Sequence, residues 1–317
     1  MNTKTAHQTA ISSFNSNHSE YDIFRPTFTP ILVNPFLAQL GLGSQKNDTF
    51  IFDNDKRIVE VACGTGKFTK NLVDNGWKDN LLVVEPSKGM LETFSKNFPQ
   101  IKVENKILAS SYDIPVKDSS VDAIIIAQGF HWFADEEALK ELNRILKPNG
   151  KLGLIWNLDL TSPSQDNLVK DSKFFNAGTQ YYDKLNFNVK NDQQVFEQFF
   201  QIQKWNEEVT KYIYSFDLNV PQYRHGKWRE VLKQDNKYFD TEILDSFALY
   251  DKLIKPIDVW KYWETRSYIT DLEPMKKEEI KKHIDELLKE YVDNSSYQVD
   301  KLIKPMATHS VVINVKK

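Results

Sequence analysis

Between residues 57 and 157 short β-branched apolar runs alternate with stretches of helical spacing. This rhythm constrains the fold more than anything else in the chain. The runs are Ile58–Ala62, Leu81–Val84, Ile101–Leu108, Val121–Ala127 and Leu152–Trp156, and the stretches between them with helical spacing are 67–75, 87–97 and 135–147. Three runs lack polar alternation, as strands covered on both faces do. Strands alternating with helices imply parallel βαβ units, so the reading is an α/β chain with a doubly wound sheet.

After Asn157 the rhythm stops. Residues 161–240 are aromatic and polar, with no βαβ beat. Residues 246–254 read as a strand, 257–266 and 275–291 as helices, and Ser310–Val315 as a final strand. Upstream, residues 1–19 read as a polar arm, and 31–40 as a helix ending at Gly41 and Gly43. The composition is globular: 317 residues, 40% hydrophobic and 27% charged. Forty-one basic against 44 acidic residues gives −3, which argues against a nucleic-acid partner. A single cysteine, Cys63, excludes a CxxC zinc site, and the histidines are scattered, so no metal is expected. The apolar runs fall far short of the ~20 residues a membrane helix needs. The first 20 residues carry only Lys4 as a basic side chain, unlike a signal or transit peptide. The expectation is a cytoplasmic protein without integral membrane association, a monomer or weak homodimer.

Glycine is scarce at 11 residues, so each cluster asks for a reason. Glu60-Val61-Ala62-Cys63-Gly64-Thr65-Gly66 joins the first strand of the alternation to its first helix. Gly64 and Gly66 let the backbone turn tightly and approach a ligand. A helix start there presents free N–H groups to an anionic group. Glu85 ends the next strand, where an acid can accept both hydroxyls of a ribose. A dinucleotide fingerprint would place a third glycine where Thr69 stands. Glu60 inside the strand suits a ligand carrying a cationic amine better than a pyrophosphate.

These residues resemble the first motif of class I S-adenosylmethionine-dependent methyltransferases. Val84-Glu85-Pro86-Ser87 is similar to their second-strand segment, and Ser110-Ser111-Tyr112-Asp113-Ile114-Pro115 to their adenine-contacting stretch. Gln128-Gly129-Phe130-His131-Trp132-Phe133 and Leu146-Lys147-Pro148-Asn149-Gly150-Lys151 extend the likeness. Pro221–Arg229 and Arg266-Ser267-Tyr268-Ile269 resemble segments of the subfamily that holds trans-aconitate methyltransferase-like proteins and fungal small-molecule, resistance-type relatives. The resemblance implies a Rossmann-like, seven-stranded sheet, mostly parallel with the last strand antiparallel, carrying an inserted aromatic-rich lid. It implies an arm and helix capping the cofactor over 1–44, a core of 45–160 with 245–255 and 306–317, and a lid of 161–244 and 256–305.

The resemblance also implies roles. S-adenosylmethionine would be the cofactor. Glu60 would bind its amine, with Gly64 and Gly66 passing close to the methionine part. Glu85 and Pro86 would border the ribose, and Ser110, Ser111 and Tyr112 the adenine. Gln128 would lie under the sulfonium, and Tyr21 and Arg25 would cap cofactor or substrate. Tyr112 stands where the family often has an acid.

His131 is read as a base or as a donor that orients substrate, with a structural role as the alternative. Trp132 and Trp156 are read as pocket walls or as packing. Arg229 and Arg266 are candidate clamps for a substrate carboxylate. Five tryptophans, at 156, 205, 228, 260 and 263, fall in or after the fifth strand, which suits an apolar lid. The function expected is O-methylation of a small-molecule carboxylate, which needs no base. The alternatives are C- or hydroxyl-O-methylation of a lipid- or quinone-like molecule, or a nicotinamide-dependent oxidoreductase.

Overall fold

The computed structural model describes Lys4 and residues 23–159, 173–176, 203–217, 220–233 and 236–317. Tyr21, most of the N-terminal arm and much of the expected lid lie outside the described residues.

Helix α1 (Pro30–Gln39) leads into a hairpin of β1 (Gly43–Lys46) and β2 (Thr49–Phe52). The alternation then runs β3 (Ile58–Val61), α2 (Thr69–Asp74), β4 (Leu81–Glu85), α3 (Lys88–Asn97), β5 (Lys106–Leu108), β6 (Val121–Ala127), α4 (Glu136–Ile145) and β7 (Leu146–Asp159). β8 (Lys173–Asn176), α5 (Lys204–Tyr214), α6 (Lys227–Lys233) and β9 (Phe239–Ile254) follow. The chain continues through α7 (Val259–Glu264), α8 (Ser267–Thr270), α9 (Pro274–Tyr291), β10 (Tyr297–Gln298) and β11 (Lys301–Val315).

The main sheet has the order β5-β4-β3-β6-β7-β11-β9-β8, with β10 hydrogen-bonded to β11. β3 to β7 pair in parallel, and β11 runs antiparallel between β7 and β9. The expected seven strands with an antiparallel last member are thus present, and β8 and β10 widen the sheet.

The uninterrupted apolar runs are explained by the two faces. Val59, Val61, Leu82, Val84, Ile124 and Ile126 pack with α4 and Trp228 on one side. Their alternating neighbours Ile58, Leu81, Val83, Ala123 and Ile125 pack with α1, α2 and α3 on the other. The Ser87 hydroxyl accepts from Met90 N–H to start α3, and the Asp135 carboxylate accepts from Ala138 N–H to start α4. A third core, built on Trp205, Trp263, Ile280, Ile284 and Met306, belongs to the C-terminal helices.

Boundaries differ from the sequence reading where tertiary pairing decides them. Only Lys106–Leu108 of the expected 101–108 run is strand, because it is an edge that pairs β4 alone, and Val103–Asn105 form a 3-10 turn. β7 begins early, at Leu146. Its partners step from Val121 to Ala123 while it advances from Leu146 to Lys151, so Lys147–Gly150 bulge out. β9 and β11 are longer than their apolar runs because each covers the other over most of its length. No helix among the described residues is long and apolar enough to cross a membrane.

Candidate active site

The chain leaves β3 toward β4 and β5 on one side and returns to β6 on the other. The strand order therefore reverses between β3 and β6, and a crevice opens at their C-terminal ends. Both exits adopt the left-handed region at residues other than glycine: Ala62 at φ 56° and Gln128 at φ 61°. Such backbone persists only where its surroundings over-determine it, and it clusters at ligand sites. Ala62 and Gln128 both line the cavity that fills the crevice.

The acidic end is built from the sheet. Glu60 is 0% exposed, on the β3 face turned toward α2. Its Oε2 accepts from the Thr69 hydroxyl at 2.6 Å, while Oε1 is shielded from solvent and has no protein partner. Burial pushes its carboxyl up to about 8, the nearby Glu85 adds to this, and the Thr69 bonds oppose it. Glu85 is 6% exposed and receives two backbone donors, Gly64 N–H on Oε2 and Ser87 N–H on Oε1, each at 2.9 Å. Burial pushes Glu85 to about 7 against those two bonds. Gly64, at φ +57°, lines the cavity with open space where a Cβ would stand. Pro86, Met90, Ala109 and Ser111 continue the wall from β4 toward β5.

The opposite end is walled by the N-terminal segment and the C-terminal helices. Asn157, at the end of β7, donates to the carbonyls of Pro26 (3.3 Å) and Thr27 (3.2 Å) and so clamps Arg25–Phe28 over the sheet. Tyr250 and Thr308 hydroxyls donate to its Oδ1, and Gln128 Nε2 donates to its carbonyl. Arg25 Nη2 donates to the Thr265 carbonyl at 2.9 Å, which brings Arg25 beside Arg266. Arg266 pairs with Asp159, which also meets Lys304 at 3.0 Å. His131 and Trp132 close the wall beyond β6, and Gln222 and Ser267 face them from the C-terminal half.

Of the residues expected at the site, Arg25, Glu60, Gly64, Glu85, Pro86, Ser111, Gln128, His131, Trp132 and Arg266 line this one cavity. Gly66, Ser110, Tyr112 and Arg229 do not. Gly66, at φ +94°, is instead where the turn meets α3: a Cβ there would collide with the Phe98 ring. The Ser110 hydroxyl accepts from Tyr112 N–H, and the Tyr112 hydroxyl donates to Asp135 at 2.9 Å, away from the cavity. Arg229 is 1% exposed and spans both oxygens of Asp245, under the Trp228 ring, so its guanidinium is occupied inside the fold. Trp156 is fully buried beneath Trp228 and Tyr223 and does not reach the cavity. Sequence reasoning missed Phe28, Gln222 and the role of Thr69. The hint for Thr69 was a hydroxyl where a dinucleotide fold wants glycine.

A glycine turn at the crevice, a buried acid in its floor and a carboxylate at the neighbouring strand end thus meet in one cavity. Residues 59–154 match the methyltransferase domain family, and this stretch of the chain is a methyltransferase domain. An uncharacterised methyltransferase-like protein of Schizosaccharomyces pombe is 37% identical over 152 residues, which is 48% of this chain and 54% of that one. An uncharacterised methyltransferase of Mycobacterium bovis is 32% identical over 145 residues, 46% of this chain and 52% of that one. The chain thus spans about half the length of the curated relatives it matches. A solved structure from Anaeromyxobacter dehalogenans, described as a candidate type II methyltransferase, shares the fold at a TM-score of 0.50 and 14% identity, covering 93% of this chain and 98% of that one.

Proposed function

We propose that this chain methylates a carboxylate oxygen of a small molecule, with S-adenosylmethionine as donor. The observation that carries this reading is the split polarity of the cavity. Two acids, Glu60 and Glu85, rise from the strands β3 and β4, and two guanidinium groups, Arg25 and Arg266, come to the same cavity from outside the βαβ units, with Lys67 beside the glycine turn.

The donor set suits the cofactor. Glu60 Oε1, buried and without a hydrogen-bond partner, would receive the ammonium group. Glu85, with one backbone donor on each oxygen, keeps lone pairs for two ribose hydroxyls. Bound there, the cofactor would supply an electrophilic methyl group for in-line transfer to the acceptor oxygen, with the thioether sulfur as leaving group. A carboxylate gives up no proton in this exchange, so the protein's task is alignment, worth ~7–11 kcal/mol.

The acceptor end is consistent with an anion. Burial, then His225 and Arg224, push His131 down to about 3, so it is a neutral imidazole and a poor base. Burial, then Arg266 and Lys252, likewise push Lys304 well below its ordinary value. Burial is the larger cause in both, and the neighbouring cations add to it. His131 would then orient the acceptor by a hydrogen bond, and Arg25 and Arg266 would draw its carboxylate in. The family match sets aside the nicotinamide alternative.

The test is a metabolite extract incubated with methyl-labelled S-adenosylmethionine. A methyl ester releases volatile labelled methanol under mild base. A base-stable label would overturn the carboxylate reading in favour of carbon or hydroxyl-oxygen methylation.

A further inference from the structure

Thr69 opens α2, yet its hydroxyl does not cap that helix. It turns to the sheet and donates to Glu60 Oε2 at 2.6 Å, and both residues are 0% exposed. Glu60, a residue of the cavity lining, is left with one oxygen held and one, Oε1, buried without a hydrogen-bond partner. The groups facing this carboxyl are few. Glu85 comes from β4, the Cys63 thiol from the glycine turn and Thr69 from α2. Val83 of β4 and Ile125 of β6 flank Glu60 in register and carry no charge. Arg25, Lys67 and His131 line the wider cavity.

We propose that Thr69 is a positioning residue that makes the cavity selective for ligands bearing an α-ammonium group, by occupying Oε2 so that Oε1 alone is presented to the cation. This rests on the reading of the cavity as the S-adenosylmethionine site. A buried carboxylate is costly unless it is paired and hydrogen-bonded. Thr69 supplies the hydrogen bond and the ligand's ammonium supplies the pair. Burial alone favours the protonated acid, and the Thr69 hydroxyl pulls the other way. Without that hydroxyl the carboxyl keeps its proton to higher pH, and the strong charge-assisted contact becomes a weak neutral one. The same geometry explains why this position holds a hydroxyl: a glycine here would leave Glu60 with neither oxygen held by a side chain.

Two probes test the proposal by calorimetric titration. One is S-adenosylhomocysteine. The other is its deamino analogue, which keeps nucleoside, thioether and carboxylate. The parent protein is expected to prefer the first by about tenfold or more at about pH 8.5, with the preference shrinking toward about pH 6. Thr69→Val should cut that preference by about fivefold or more while changing affinity for the deamino analogue less than about twofold. Thr69→Ser should restore both the preference and its pH profile. An equal loss for both probes, an unchanged preference, or failure of serine to rescue would overturn the proposal. Binding of neither probe to the parent protein would overturn the cofactor reading and the proposal with it.

Discussion

The two buried acids tie the chemistry of the site to the stability of the fold. Unfolded, Glu60 and Glu85 titrate near 4.5; folded, burial raises them to about 8 and about 7. Between those values the folded chain holds protons that the unfolded chain has released, so stability falls as pH rises. The contribution is fully present below about pH 4.5 and is lost once pH has passed about 8. The ligand-free Glu60→Gln protein, which has no charge to bury, should be more stable than the parent at about pH 8.5 and lose that advantage by about pH 5.5. Denaturant titrations at the two pH values measure this, and a gap independent of pH would contradict it.

At the scale of elements, a buried polar chain fastens α6 and the turn before it to the sheet. Asp245 of β9 is an acceptor on both oxygens, its acidity increased by His309 and Arg229 against the effect of burial. His309 of β11 must therefore donate from Nε2, at 2.6 Å, which leaves Nδ1 to accept from the Tyr223 hydroxyl at 2.7 Å. Arg229 of α6 completes the chain from the other side. Tyr223 begins the turn that follows Gln222 of the cavity lining, so the wall there is held by the sheet interior. Removing one partner of such a pair leaves a buried charge uncompensated. Arg229→Ala is expected to lower stability by about 3–5 kcal/mol, and Arg229→Lys should recover little because an ammonium cannot span both oxygens. Equilibrium unfolding of the three proteins tests this; a loss under about 1 kcal/mol for the alanine variant would show that the pair is not needed.

Over the whole molecule, the cavity is a meeting place of segments far apart in the chain. Strand ends supply the acids, the Arg25–Phe28 segment and α8 supply the opposite wall, and Asn157 holds the first of these in place. Phe68 links that segment to α1: Phe28 and Phe36 both pack edge-on to it, and Gly153 of β7 leaves room for the Phe36 ring, which a Cβ would meet at 2.6 Å. A ligand that joins both halves should stabilise the entire fold. S-adenosylhomocysteine at about a hundred times its Kd is expected to add about 2.7 kcal/mol to the unfolding free energy. NADH should add nothing. Thermal unfolding with each compound is the measurement, and stabilisation by NADH would contradict an S-adenosylmethionine site.

The sequence by itself determined the parts whose information is local. Uninterrupted apolar runs, covered on both faces, announced parallel strands. The glycine turn and the acid at the next strand end lie within a single βαβ unit, so chain spacing alone suffices to bring Glu60, Gly64 and Glu85 together. Tertiary structure decided what the cations do. Arg229 and Arg266 are equally good clamps as far as sequence goes, because a guanidinium in a sequence shows its charge and hides its counter-ion. In the fold, Asp245 encloses Arg229 entirely, whereas Arg266 pairs with Asp159 at the rim of the cavity. Tyr112 is drawn away by Asp135, and Thr69 is drawn in by Glu60. The reason is physical: a strand's apolar pattern is written in neighbouring residues, but the partner that a buried polar group must find comes from wherever the folded chain brings one.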